Sequence, residues 1–335
     1  NYSVDYRRVS LEKCTREIAY ELLSKTGEHE YRKFELLASN FIDKRITFVK
    51  ESNDIILDKI KSKENFKLDE RKEVAQGIVA PQDFLNQKSA EVLNNKIPVG
   101  SGIFNLTNDE VNKLNLLPNE LKLIKPFYTT EQLCRYYGNI SNKLWVIYTD
   151  SSFKNQKAIT PYPNLKKHLD LYSDIITSDN KPYGLHRSRE EFFFKGEKII
   201  SLRKCPDKPI FTYTDFDCYV SQTFFIIKSG RVTLKYLTAF LNSKLIAFWL
   251  KNMGKMQGHA YQIDKGPILE IPIYVPDNEL EQPIVDLVDQ IITSKKNDPL
   301  TDTTNYEKQI DDMVYKLYDL TDEEIAIIEG SINGK

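Results

Sequence analysis

Arg187 and Arg189 stand one residue apart in Lys181–Arg189 (KPYGLHRSR), with His186 and Ser188 beside them and Pro182 and Gly184 giving the stretch a loop character. A guanidinium is a planar fork that matches guanine O6 and N7, while hydroxyls and lysines suit phosphate oxygens. The two arginines are therefore candidates for reading base edges. Contact with phosphate or water alone stays open beside that reading, since most nucleic-acid contacts go to the backbone. Arg203 and Lys204 directly follow the strand-like run Ile199–Leu202. Projecting from a strand end, they suit positioning contacts first and a solvated surface second. A second loop candidate runs Lys255-Met256-Gln257-Gly258-His259-Ala260-Tyr261. Its glycine, Gly258, permits close backbone approach, and the Gln257 amide can bond adenine at two points. Tyr261 can stack on a base or pack beneath the loop, and packing is the commoner fate. Tyr219, Ser221 and Gln222 open a strand and are weaker candidates.

Other chemistries leave less trace. The chain has no G-x-G-x-x-G, no phosphate-cradling P-loop, no G-x-S-x-G elbow and no H-E-x-x-H. The Asn-Pro-Pro-aromatic motif that holds a flipped adenine is absent, as is a Gly-rich segment for S-adenosylmethionine. Two acid-x-Lys triplets, Glu70-Arg71-Lys72 after Asp54 and Glu120-Leu121-Lys122 after Asp109, have the form of a metal-dependent nuclease centre. Such triplets arise readily by chance in a Lys/Glu-rich chain, and both are expected on surface helices. Cys14, Cys134, Cys205 and Cys218 lack C-x-x-C spacing, and His29, His168, His186 and His259 are scattered. Buried, reduced cysteines fit better than a metal clip or a disulfide framework.

The charge pattern supports the arginine-bearing region. The 335 residues carry a net charge of only −1, with 41% hydrophobic and 28% charged residues, a globular composition. Residues 181–270 hold 15 Lys/Arg against 8 Asp/Glu, whereas 271–335 hold 5 against 15. A basic block beside an acidic, helical tail suits a DNA-facing surface next to a solvated or partner-facing segment, although surface charge also fluctuates by chance. The longest candidate apolar run, Leu245–Leu250, is far short of the ~18–20 residues that span a bilayer. Asn1–Ser10 has no signal-peptide core, and the opening Asn suggests a piece of a longer polypeptide.

These candidates need elements to hold them. Residues 1–75, free of Pro, read as mostly helix, with Ile18, Leu22, Leu23 and Leu36, Leu37, Phe41 near helical spacing. Gly77 and Pro81 mark the entry to a second domain, and 98–102 is a loop. Thr107 and Glu110 predict a capping box on a helix that Leu117-Pro118 ends. Leu144–Tyr148, Ile199–Leu202, Phe211–Tyr213 and Gln222–Ile227 predict strands, and Tyr162–Ile176 a helix between them. Leu234, Leu237, Leu241, Leu245 and Phe248 mark the core face of one helix that Gly254 stops. Helix returns after Pro283, with a second capping box at Thr321–Glu324. The fold class is α+β: a helical N-terminal connector over 1–75, a mixed α/β domain over 76–280 and a helical C-terminal segment over 281–335.

Leu123–Pro276 resembles a known family. The matching residues are Lys125-Pro126-Phe127-Tyr128, Trp145–Tyr148, Tyr162-Pro163-Asn164-Leu165 leading to His168-Leu169, Lys198-Ile199-Ile200, Ser221–Ile227, Leu241–Ile246 and Leu269–Ile273. In order and spacing they resemble the TaqI-like C-terminal specificity domain, the target-recognition domain of type IIG restriction–modification enzymes and related N6-adenine DNA methyltransferases. The tail around Val314–Thr321 resembles the helical close common after such domains. The resemblance implies recognition of double-stranded DNA in a bacterial cytoplasm, with phosphate contacts setting register and the adenine flipped into a distant pocket. It also implies that S-adenosylmethionine, Mg²⁺ and catalysis belong to an upstream methyltransferase or nuclease domain rather than to this chain. Two other classes stay open: a small nuclease using Glu70 or Glu120, and a protein-interaction module built on the terminal helices.

Overall fold

The computed structural model describes residues 2–7, 15–24, 26, 31–36 and 51–333. Contacts divide the chain into two compact units, 1–55 and 56–335. In the first, strands β1 (Tyr2–Arg7) and β2 (Tyr31–Leu36) pair antiparallel, from Tyr2↔Leu36 to Arg7↔Tyr31. Between them in sequence lies α1 (Arg16–Ser24), opened by Thr15, whose Oγ1 accepts from the Ile18 N–H at 3.3 Å. The strand pair is an addition to the helices expected here, and Leu36 belongs to it. Leu37, Phe41 and Cys14 lie outside the described residues. Helix α2 (Glu51–Ser62) crosses the division and buries Ile56, Leu57 and Ile60.

The second unit holds three sheets. The largest orders β3 (Val74–Gln76), β12 (Phe224–Ile227), β8 (Lys198–Leu202), β10 (Phe211–Thr214) and β6 (Tyr136–Tyr137). Its central strands β12, β8 and β10 are buried along almost their whole length, and β12 reads as the unbroken apolar run FFII. A second sheet orders β11 (Tyr219–Val220), β5 (Ile124–Tyr128), β7 (Leu144–Ile147) and β4 (Asn105–Thr107). Tyr219 stacks on Phe194 with centroids 4.8 Å apart and meets Tyr148 edge-on at 5.3 Å, which ties this sheet into the core. A small third sheet orders β13 (Lys255–Gln257), β14 (Ala260–Gln262) and β9 (Lys204–Cys205). Gly77 follows β3 where the chain meets β11: a Cβ there would lie 2.1 Å from the Ser221 carbonyl oxygen, so only glycine fits.

Short helices α3 (Gln87–Val92), α4 (Asn108–Lys113), α5 (Pro118–Leu121) and α6 (Pro163–Asp170) flank the second sheet in sequence. The capping box on α4 forms as expected, with Thr107 Oγ1 accepting from the Glu110 N–H and Glu110 accepting from the Thr107 N–H. Pro118 does not end that helix. It is the first residue of α5, where its missing N–H costs nothing. The Tyr162–Ile176 helix is shorter than expected, closing at Asp170 before a run of turns.

The single helix expected from Leu234 to Gly254 is two. Helix α7 (Leu234–Asn242) stops at Ser243, whose hydroxyl then caps α8 (Lys244–Met253) by accepting from the Ile246 N–H at 3.3 Å. All five stripe residues are buried regardless. After the short α9 (Lys265–Leu269), the chain closes with α10 (Asn278–Asn297), α11 (Thr304–Leu317) and α12 (Asp322–Asn333), which pack on α7 and α8. Helix α10 starts before Pro283 and contains it. The capping box at Thr321 and Glu324 forms. Among the described residues no helix is long and apolar enough to cross a membrane.

Candidate functional site

Five of the residues singled out by chemistry converge on one cleft of about 830 Å³: His186, Arg187, Ser188, Arg189 and Arg203 all line it, together with Arg71. The 185–189 segment is strapped to the sheets by its backbone. Leu185 N–H donates to the Thr149 carbonyl at 3.0 Å, and Arg187 exchanges two backbone hydrogen bonds with Val79 at 2.9 and 3.0 Å. The Tyr148 hydroxyl donates to the Arg189 carbonyl at 2.8 Å.

The two arginines differ in their environments. Arg187 is exposed, and among the described residues no hydrogen bond or ion pair engages its guanidinium. Arg189 has a left-handed backbone, φ 67°, and donates to Gln76 Oε1 at 3.0 Å and the Gly77 carbonyl at 3.4 Å. Burial first, then the neighbouring Arg187 charge, holds the Arg189 guanidinium below its ordinary value. His186 Nδ1 lies 3.7 Å from the exposed Asp179 carboxylate.

Arg203 also borders a second cleft, of about 850 Å³, lined by Lys204, Gln257, Ser221, Gln222 and Asn105 over apolar walls such as Phe127. The stretch expected as a loop, Lys255–Tyr261, is a β-hairpin in this wall. Gly258, φ 63°, and His259 form its two-residue turn, with glycine where a left-handed residue is required. Lys255, Gln257 and His259 are exposed. Tyr261 is only 4% exposed, and burial pushes its phenol up to about 12, so its ring packs under the hairpin rather than facing solvent. Tyr219 is wholly buried, and its place is in the aromatic core rather than on a surface.

Residue chemistry alone did not single out Asp264, Gln262, Arg71, Lys265 or Asn105. Asp264 Oδ1 accepts from Arg203 Nε at 2.5 Å and its Oδ2 from Gln262 Nε2 at 2.8 Å, with Lys255 Nζ 3.9 Å away. No spacing in the sequence pointed to Asp264, because β14 ends at Gln262 and Asp264 stands just before α9. Asn105 is 2% exposed, and its side-chain oxygen has no hydrogen-bond partner among the described residues.

The two nuclease-like acids are placed differently. Glu70 is exposed, 3.8 Å from Lys265. Glu120 is fully buried rather than on a surface helix, accepting from the Leu117, Asn164 and Leu165 N–H groups at 2.7–3.0 Å. Burial alone would raise its pKa, but these backbone donors outweigh it and hold the carboxyl below the usual range. Cys205 and Cys218 are buried free thiols, Cys134 an exposed one. Among the described residues no three His, Cys, Asp or Glu side chains gather where they could hold a metal ion.

Residues 125–273 match the TaqI-like C-terminal specificity domain, over less than half of the chain. Two type II methyltransferases of Haemophilus influenzae are similar to it. M.HindII is 27% identical over 37% of this chain and 27% of the relative, and M.HincII is 27% identical over 37% and 28%. The chain thus matches only about a quarter of the length of these curated relatives. The type IIL restriction–modification enzyme MmeI, solved in complex with DNA, shares the fold with a TM-score of 0.56 at 13% identity, over 90% of this chain and 38% of that one.

Proposed function

We propose that this chain is the DNA target-recognition part of a type II restriction–modification enzyme or adenine-specific DNA methyltransferase. It binds a DNA duplex along the wall formed by the two clefts that meet at Arg203. The observation that carries this reading is the convergence of His186, Arg187, Ser188, Arg189 and Arg203 on one cleft, with Lys204 and Gln257 in the next. In this reading Arg187 reaches a base edge while Lys204, Lys255 and His259 hold phosphates, and Arg189 shapes the loop that presents Arg187. Gln257 offers an amide group that suits an amino donor and a ring acceptor of a base.

Methyl transfer and any cleavage belong to a separate domain of the parent polypeptide. S-adenosylmethionine supplies the methyl group there, and Mg²⁺ serves the nuclease where one is present. No residue of this chain is assigned to either.

The test is selection of this chain against a randomised duplex pool, with sequencing and a salt titration. The expected result is an enriched motif, bound about 1–3 kcal/mol more weakly by Arg187→Ala, with affinity falling steeply as salt rises. Absence of binding at ~50 mM salt, where phosphate contacts are strong, overturns the reading.

A further inference from the structure

We propose that Asp264 is a specificity-determining positioning residue, which fixes the Arg203 guanidinium as a base-reading fork at the junction of the two clefts. This rests on the DNA-recognition reading above and deepens it. Asp264 lines a cleft that also holds Arg71, Arg187, Arg189, Arg203 and Lys265, and an acidic residue on a surface that meets phosphates repels its ligand, so its place there needs a compensating role. The structure supplies one. Asp264 gathers three side chains from the small third sheet and the residue leading into it: Arg203 Nε at 2.5 Å, Gln262 Nε2 at 2.8 Å and Lys255 Nζ at 3.9 Å. Lys255 and Gln262 are directly paired across the hairpin, and Gln262 is paired with Lys204 on the other side. The Ile263 N–H donates to the Arg203 carbonyl at 2.8 Å, so the backbone holds the carboxylate opposite the guanidinium.

The consequence lies in how Arg203 meets DNA. A free arginine swings through many rotamers, suits any phosphate and loses that freedom on binding. With Nε committed to Asp264, the plane of the guanidinium is set before DNA arrives. Its terminal nitrogens, which no described residue bonds, are left as a two-point donor. The side chain remains 41% exposed, so that donor pair is reachable from solvent. A planar pair of donors at fixed orientation matches guanine O6 and N7. Residue chemistry alone put Arg203 among the positioning contacts; its pairing with Asp264 makes it a reader, held by a neighbour that itself touches no base.

The experiment measures affinity for the selected motif and for a scrambled duplex, each across a salt series, with thermal stability recorded for every variant. Asp264→Asn is expected to bind scrambled DNA as well as or better than the parent, because a repulsive charge is gone, while the preference for the motif falls roughly tenfold or more. In an Arg203→Ala background the same substitution is expected to cause no further loss of preference. Arg203→Lys keeps the charge but removes the planar fork, so it should lose the preference with the salt dependence unchanged. This second variant decides the matter if Asp264→Asn proves unstable. Retained preference in either single variant overturns the proposal. So does parallel loss of motif and scrambled binding in Arg203→Lys, which marks Arg203 as a plain phosphate contact. A parent chain that selects no motif at all removes the recognition reading instead, an outcome visible before any variant is made.

Discussion

Arg187 and Arg189 are chemically equivalent in sequence and distinct in the fold. Arg189 spends its guanidinium on Gln76 and Gly77 and carries a left-handed backbone, whereas Arg187 is exposed and unengaged among the described residues. Arg189→Ala should therefore lower the melting temperature and weaken DNA binding only through the loop it supports. Arg187→Ala should leave melting unchanged and weaken binding about tenfold or more. Melting curves set beside binding isotherms separate the two. His168 makes a second prediction at this scale. It is 9% exposed, with Nε2 2.9 Å from the Ile103 carbonyl, and burial holds its pKa below the ordinary value. The unfolded chain takes up this proton near pH ~6.5 while the folded chain resists it, so its contribution is complete above that pH and lost as pH falls below it. Between pH 7.5 and 5.5 the parent chain should lose more thermal stability than His168→Phe, in which the titrating group is gone. Equal losses would assign the acid sensitivity to other groups.

At the scale of elements, Glu120 joins two helices through one carboxylate: it caps α5 at Leu117 and α6 at Asn164 and Leu165. Glu120→Ala would leave three N–H groups without their acceptor, at a cost of about 3 kcal/mol, readable as a lower midpoint in urea. Gly77→Ala should also destabilise, because its Cβ would drive into the Ser221 carbonyl and part the contact in which the Ile78 N–H donates to Val220 at 2.8 Å. The same scale shows what residue order reveals. The two capping boxes were legible because their partners are three residues apart. The break at Ser243 was not, because α7 and α8 face one core and the apolar stripe from Leu234 to Phe248 runs through it unchanged. Pro118 carries the same local signal whether it stops one helix or starts another, and the hairpin at 255–262 has strands too short to show alternation. The arginine loop was legible from composition. Asp264, Lys265 and Arg71 were not, because only the fold carries them to Arg203 from distant sequence positions.

For the molecule as a whole, the acidic tail is met by lysines from elsewhere in the chain. Lys59 Nζ contacts Glu324 at 2.8 Å, Lys63 contacts Asp319 at 2.5 Å, and Lys244 contacts Glu329 at 2.7 Å while its N–H donates to the buried Asp311 at 2.8 Å. Each such pair is modest, because partly exposed charges are screened by solvent, so Glu324→Gln should shift melting only slightly. The apolar contact of α10–α12 with α7 and α8 carries far more of the stability. Removal of 304–335 would uncover that face, and circular dichroism on heating should then show no cooperative transition. The hairpin turn stands at the other extreme. No atom lies within 4 Å of where a Gly258 Cβ would be, and His259 is exposed. Gly258 itself is held to glycine by its positive φ, but Gln257 and His259 can change with little effect on folding. On the proposed DNA-recognition reading, preference for a DNA sequence would drift by single substitutions at this tip without approaching the stability threshold that removes most mutations from a lineage. On that reading the turn is where descendants of one domain would diverge in target while keeping one scaffold.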